Sequence, residues 1–233
     1  MNILITGASR GIGFETAKIL SKNHRVLAVS RDFSSLKKLK FQYPEIEILQ
    51  FDITKKADFL KLKKVVAEKF SPLDVLLNNA GFLVNKSFEK ISEKDIQNVF
   101  HVNFFGAFEL IKTLYPYMKR KSKSNKANSH IVNIGSMGGY QGSSKFKGLS
   151  IYSSSKAALA CLSECLAEEF KESKIAVNCL ALGSVQTEML ARAFPGYSAP
   201  LTPSMMGEFI ADFAVSGHKY FNGKVLPVSF SSP

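Results

Sequence analysis

Short apolar runs recur along the chain at 3–5, 26–29, 46–49, 75–77, 131–134, 175–180 and 225–228, and segments of helical periodicity fill the spaces between them. The runs are too short for helices and suit buried strands. The helix-patterned segments fall at roughly 12–22, 34–41, 55–69, 92–119, 150–171 and 204–214, the last weakened by Gly207. A parallel connection needs a crossover and a helix supplies it, so this alternation predicts a parallel sheet covered on both faces. The expected fold class is α/β: a doubly wound parallel sheet of about seven strands with helices on both faces, in a single domain over 1–233. Ligands of such sheets bind beyond the carboxyl ends of the strands, where strand order reverses. An irregular stretch at 191–203, with Pro195, Gly196, Pro200 and Pro203, and a polar stretch at 119–126 interrupt the pattern.

At 233 residues, 45% hydrophobic and 21% charged, the chain has the balance of an ordinary globular protein with one sizeable core. Met1-Asn2 leads straight into Ile3-Leu4-Ile5, and no segment reaches the roughly 18 apolar residues of a membrane span, which predicts a cytoplasmic protein without membrane association. Cys161, Cys165 and Cys179 form no C-x-x-C and have no His at ligand spacing, so they are expected to be buried thiols. His24, His101, His130 and His218 are likewise unpaired at metal spacing, and no metal site is expected. The net charge of +12 admits nucleic acid, anionic lipid or an acidic partner. Much of it is scattered over helix faces. The exception, Lys119 to Lys126, reads as a basic loop or a docking patch, and without interleaved aromatics it predicts no nucleic-acid binding.

Directly after the first run comes Thr6-Gly7-Ala8-Ser9-Arg10-Gly11-Ile12-Gly13, which opens the first helical segment. Glycines in that place permit a tight turn and let backbone approach a pyrophosphate, whose charge a helix amino terminus favours. After the second run, a fold preferring NAD usually places an acid against the ribose 2′-hydroxyl, and one preferring NADP leaves room for a base. Ser30 stands there, followed by Arg31, with Arg10 available from the turn. This favours NADP(H) over NAD(H). Asp32 is the alternative: facing the ribose in place of Ser30, it would weaken or reverse the preference.

Tyr152 and Lys156 lie 16 and 20 residues after Ser136. Tyr-x-x-x-Lys recurs at Tyr115/Lys119, Tyr117/Lys121 and Tyr220/Lys224, but only Tyr152 opens an apolar-periodic helix after an apolar run ending in serine. Reducing a ketone by hydride transfer leaves an alkoxide that needs a proton, so the site requires an acid and a fixed hydrogen-bond donor beside the carbonyl oxygen. Tyr titrates near 10, and bringing it about three units closer to neutrality takes roughly 4 kcal/mol. A lysine one helical turn away puts positive charge on the same face, and Lys156 is expected to do this for Tyr152.

These residues resemble the short-chain dehydrogenase/reductase family nearly end to end and in its order. Thr6-Gly7-x-x-x-Gly11-x-Gly13 is similar to its cofactor turn, Asp52 to its adenine-contacting aspartate, and Asn78-Asn79-Ala80-Gly81 to its Asn-Asn-Ala-Gly segment. Asn103, Ser136, Tyr152 and Lys156 fall where the family keeps its catalytic four. The resemblance implies a Rossmann-type fold and cofactor contacts from Gly7, Ser9, Arg10, Gly11, Ile12 and Gly13 in the turn. It implies further contacts from Ser30, Arg31, Asp52 and Ile53, then Asn79, Ala80 and Gly81, and finally Gly183, Val185 and Thr187 beside Tyr152 and Lys156. Lys156 would hold the nicotinamide ribose, Ser136 bond the substrate oxygen, and Asn103 order a proton-relaying water. Two departures stand out: Leu182-Gly183 replaces the family's Pro-Gly, and Val228-Ser229-Phe230 replaces its Asp-Gly-Gly.

The implied activity is NADP(H)-dependent reduction of a small or carrier-borne carbonyl compound, with 3-oxoacyl-carrier-protein reductases as one likeness. The competing reading is a dinucleotide-binding sensor or scaffold without turnover. Segment 188–214 is expected to cover the substrate. Phe100, Phe104, Phe105 and Phe108 have helical spacing and suit a core or a subunit interface. The resemblance implies a homodimer or homotetramer associating through their helix and the one holding Cys161 to Phe170.

Overall fold

The computed structural model describes residues 1–119 and 129–230, so the basic segment beyond Lys119 lies outside the described residues. The elements run β1 (Asn2–Thr6), α1 (Gly11–Ser21), β2 (Arg25–Ser30), α2 (Phe33–Gln42), β3 (Glu47–Gln50), α3 (Lys56–Lys69) and β4 (Val75–Asn78). There follow α4 (Glu93–Phe100), α5 (Gly106–Met118), β5 (Ser129–Ile134), α6 (Ser150–Glu169), β6 (Ile175–Leu182), α7 (Glu188–Ala193), α8 (Pro203–Ser216) and β7 (Val225–Val228). The strands form one sheet in the order β3-β2-β1-β4-β5-β6-β7, every pairing parallel. Strand order reverses between β1 and β4, which opens a crevice above the first glycine turn.

Alternate side chains of each strand enter opposite cores. Ile3 and Ile5 pack with Leu20, Leu39 and Ile210 of α1, α2 and α8, while Leu4 packs with Leu62, Leu114 and Leu166 of α3, α5 and α6. Local chemistry sets the helix starts. Ser92 and Asp95 form a reciprocal capping box on α4, and Thr202 caps α8 with Pro203 in its first turn. Behind the site a buried polar ladder crosses three elements: Asn78 Nδ2 donates to Asn133 Oδ1 at 2.7 Å, and Asn133 Nδ2 to Ser163 Oγ at 2.8 Å. An unpartnered polar group there would cost about 1–3 kcal/mol, so the ladder ties α6 to β4 and β5 in one register.

Three expectations are corrected. The helix expected over 92–119 is two helices joined by a π-helical turn, His101–Phe105, in which the Gly106 N–H reaches back to the His101 carbonyl. The irregular stretch begins with a short helix, α7, capped by the Thr187 hydroxyl. Only Cys179 is a buried thiol; Cys161 and Cys165 are exposed on the outer side of α6, where Ser163 and Leu166 take the inward positions. Among the described residues no helix is long and apolar enough to cross a membrane, and no cluster of three metal-ligating side chains occurs.

Candidate active site

A cleft of about 720 Å³ lies over the carboxyl ends of β1, β4, β5 and β6, bounded on its far side by α7. Its floor is the glycine turn. Gly7 and Gly11 take left-handed backbone angles, φ +68° and +59°, which β-carbon-bearing residues rarely adopt. Thr6 Oγ1 accepts from the N–H groups of Asn79 and Ala80, both at 3.0 Å, and Asn79 Nδ2 donates back to the Thr6 and Gly7 carbonyls at 2.9 and 3.2 Å. The Asn-Asn-Ala-Gly segment thus clamps the turn from β4.

At the β2 end of the cleft Ser30 Oγ donates to Ser9 Oγ at 2.9 Å, and Arg31 lines the wall. Asp32 is absent from the lining. It caps α2, accepting from the Ser35 hydroxyl at 2.6 Å, the Ser35 N–H at 3.0 Å and the Ser34 hydroxyl at 2.7 Å, and these bonds hold its carboxyl down at about 2. Phe51 and Ile53 line the cleft, whereas Asp52 sits in a neighbouring hollow with Lys55 and Asp58, its Oδ1 accepting from the Thr54 N–H and hydroxyl.

At the opposite end stand Ser136, Tyr152 and Lys156. Ser136 lies two residues beyond β5, beside the Tyr152 phenol; its Oγ accepts from the Gly138 N–H at 3.2 Å. One turn further along α6, Lys156 is buried, its Nζ 5.9 Å from the Tyr152 ring centre and donating to the Ile134 carbonyl at 2.7 Å. Burial dominates both titrations. It raises the Tyr152 phenol above its ordinary value against the opposing influence of the Ser136 hydroxyl, and it pushes the Lys156 ammonium down to about 8. In place of the expected lowering of Tyr152 by Lys156, burial sets the direction here, and the Lys156 ammonium is turned to a strand carbonyl. Asn103, in the π-helical turn, is held by three bonds: Oδ1 accepts from the Phe82 N–H at 2.7 Å, and Nδ2 donates to the Phe82 carbonyl and Ser155 Oγ, both at 2.9 Å. A β-carbon on Gly81 would lie 3.7 Å from both Asn103 Oδ1 and Lys156 Nζ.

The two departures noted in the sequence pack on each other. Gly183 donates its N–H to the Val228 carbonyl at 2.8 Å, and a β-carbon there would stand 2.5 Å from Ser229 Oγ. Val185 and Thr187 line the cleft below α7, with the Thr187 hydroxyl capping that helix. Sequence reasoning missed Glu188, which lines the cleft, pairs with Arg10 at 3.2 Å and approaches Arg192 at 3.5 Å. The Arg10–Glu188 pair is solvent-exposed, worth about 0–1 kcal/mol, and holds α7 lightly against the glycine turn. Its only sequence signal was an acid following the α7 cap. Phe146 and Leu149 were missed as well, since nothing in a polar loop marked them as lining.

The model of the short chain dehydrogenase family matches residues 1–198. The chain belongs to this family. Among relatives of this short-chain dehydrogenase, a fatty acyl-CoA reductase of Acinetobacter baylyi is 32% identical over 91% of this chain and 70% of its own length. A ketoacyl reductase of Nostoc is 31% identical over 85% and 70%, and human retinol dehydrogenase 8 is 32% identical over 97% and 70%. Of solved structures, the RhlG/NADP complex of Pseudomonas aeruginosa superposes with a TM-score of 0.86 at 27% identity, covering 97% of this chain and 94% of that one. A 3-ketoacyl-(acyl-carrier-protein) reductase of Brucella melitensis complexed with NADH shares the fold, with a TM-score of 0.87 at 24% identity, covering 97% and 96%.

The short-chain dehydrogenase fold gives Lys156 a measurable signature. A lysine whose folded value, about 8, is below its unfolded one binds fewer protons when folded, so the stability cost of burying its charge is full below pH 8 and fades between about pH 8 and 10.5. Relative to a Lys156→Met variant, the parent should therefore gain urea resistance as pH rises through that window. Parallel midpoints from pH 7 to 10 would contradict the burial.

Proposed function

We propose that this oxidoreductase is an NADP(H)-dependent carbonyl reductase, with Tyr152 as acid, Ser136 as carbonyl-oxygen donor, Lys156 as the ribose-holding cation and Asn103 as the residue that fixes the surrounding loop. The observation that carries the reading is that Ser136, Tyr152 and a buried Lys156 line one end of a cleft that begins at the glycine turn. The turn fits a nicotinamide dinucleotide: Gly7, Ser9, Arg10, Gly11, Ile12 and Gly13 line the cleft at the amino terminus of α1, where a pyrophosphate charge is favoured. A bound dinucleotide of this kind supplies the hydride. Ser136 orients the carbonyl oxygen, Tyr152 protonates it, and the proton lost is restored from solvent past Lys156. The names of the acyl-CoA and ketoacyl reductases among the relatives support carbonyl reduction, and a carrier-borne 3-oxoacyl substrate belongs to the same reading. Segment 188–214 covers the substrate, through Met189, Leu190, Phe194 and Tyr197 in the lining. Exposed Phe105 and Phe108 support association into a homodimer or homotetramer.

The preference for NADP(H) rests on Ser30 and Arg31 at the ribose end and on Asp32 being committed to its helix cap. Arg31→Ala should weaken NADPH on the order of tenfold, the worth of one charge-assisted hydrogen bond, and leave NADH nearly unchanged. Equal losses for both would remove Arg31 as the 2′-phosphate reader. The function itself is tested by titrating the protein with NADPH and NADH by fluorescence, then following reduced-cofactor absorbance with a carbonyl panel. NADPH binding with turnover is expected; binding without turnover of any member favours the sensor, and no binding of either nucleotide sinks both.

A further inference from the structure

We propose that the carbonyl substrate is carried on a hydrocarbon chain, and that small polyhydroxy or carboxylate-bearing carbonyls are rejected. The inference rests on the carbonyl-reductase reading of the same cleft. Four charged side chains line that cleft, Arg10, Arg31, Lys156 and Glu188. The first two lie at the β1 and β2 side, Glu188 is paired with Arg10, and Lys156 is buried beneath Tyr152 and bonded to Ile134. The rest of the lining on the Ser136 and Tyr152 side is Met137, Phe146, Leu149, Met189, Leu190 and Phe194, with only the uncharged polar groups of Ser144, Ser184 and Tyr197 among them.

Of these polar groups the Tyr197 hydroxyl and Ser184 Oγ share a hydrogen bond with each other at 3.0 Å, which leaves the exposed Ser144 hydroxyl. A carboxylate, or several hydroxyls carried on the substrate, would lose more water there than these few hydroxyls replace, and no cation faces a carboxylate, at roughly a factor of ten in rate per stranded group. The lip points the same way. Phe146, Met189 and Tyr197 are 49%, 38% and 48% exposed, and apolar side chains gathered at a cleft mouth mark where an apolar ligand lies. Ser136 and Tyr152 contact only the carbonyl oxygen common to every candidate, so discrimination falls to this wall.

The test is kcat/KM with saturating NADPH for straight-chain aldehydes and 2-ketones of four to ten carbons, beside dihydroxyacetone and glyoxylate. The expected result is a rise on the order of two- to fourfold per added methylene, the transfer preference of a buried CH2 group, with the two polar compounds slower than the shortest chain. Met189→Asp, at a half-exposed position that tolerates charge, should flatten that slope, with NADPH binding read alongside to show that the variant is folded. A flat or falling chain-length series overturns the inference, as does faster turnover of dihydroxyacetone or glyoxylate; either leaves the reductase reading intact. NADPH binding without turnover of any compound overturns both.

Discussion

Tyr152→Phe is expected to lower kcat for carbonyl reduction on the order of a thousandfold while leaving the NADPH dissociation constant within about twofold. Hydride arrival turns the substrate oxygen into an alkoxide, and Tyr152 is the only acid that the cleft places beside Ser136 among the described residues. The phenol is held above its ordinary pKa by burial, so it stays protonated through neutral pH, as a proton donor must, and an alkoxide is basic enough to take the proton downhill. The same burial has an opposite consequence in reverse. Alcohol oxidation needs the phenolate, so its rate should climb with pH into the alkaline range while reduction near neutrality stays level. Phe keeps the ring against its neighbours and removes only the hydroxyl, so the fold should survive and thermal unfolding will check that. Normal turnover by Tyr152→Phe would remove the acid assignment, and with it the argument from Ser136.

The strands were legible because the central ones are buried on both faces and read as continuous apolar runs: β1, β4, β5 and β6 are each covered by neighbours and helices. The glycine turn and the Tyr152/Lys156 pair were legible because their geometry is local, a strand-to-helix turn in one case and one helical turn in the other. What was hidden depends on distance or on a break that leaves the hydrophobic pattern unmarked. Phe100 to Phe108 run at helical spacing straight through the π-helical turn, so nothing in the apolar period records the extra residue. The α7 helix is six residues long and adjoins Pro195 and Gly196, which dominate any local reading. Arg10 and Glu188 are 178 residues apart and meet only because β1 and β6 end on the same side of the sheet. Lys156 looked like a cation free to act on Tyr152; its bond to Ile134, and the burial that goes with it, exist only once α6 lies over β5.

Gly13→Ala should abolish dinucleotide binding, by a hundredfold or more, and destabilise the fold by roughly 2–4 kcal/mol, the range of an overpacked site combined with a lost buried bond. The reason is space. The added β-carbon would stand 2.4 Å from Asn79 Nδ2 and 2.5 Å from the Gly7 carbonyl oxygen, and neither can retreat alone. Asn79 Nδ2 is fixed by its bonds to the Thr6 and Gly7 carbonyls, and Gly7 by its left-handed angle and by Ala80, whose Cα would meet a β-carbon there at 2.9 Å. Relief therefore requires the turn to lift from β4, which undoes the cradle expected to meet the pyrophosphate. Gly11→Ala separates this cause from backbone strain. Its β-carbon would meet nothing nearer than a Thr187 methyl at 3.6 Å, so only the φ of +59° opposes it, at about 1–2 kcal/mol. Urea midpoints and NADPH titrations of the two variants should rank Gly13→Ala well below Gly11→Ala. If Gly11→Ala proved the more damaging, conformational freedom rather than close packing would be what this turn demands of its glycines.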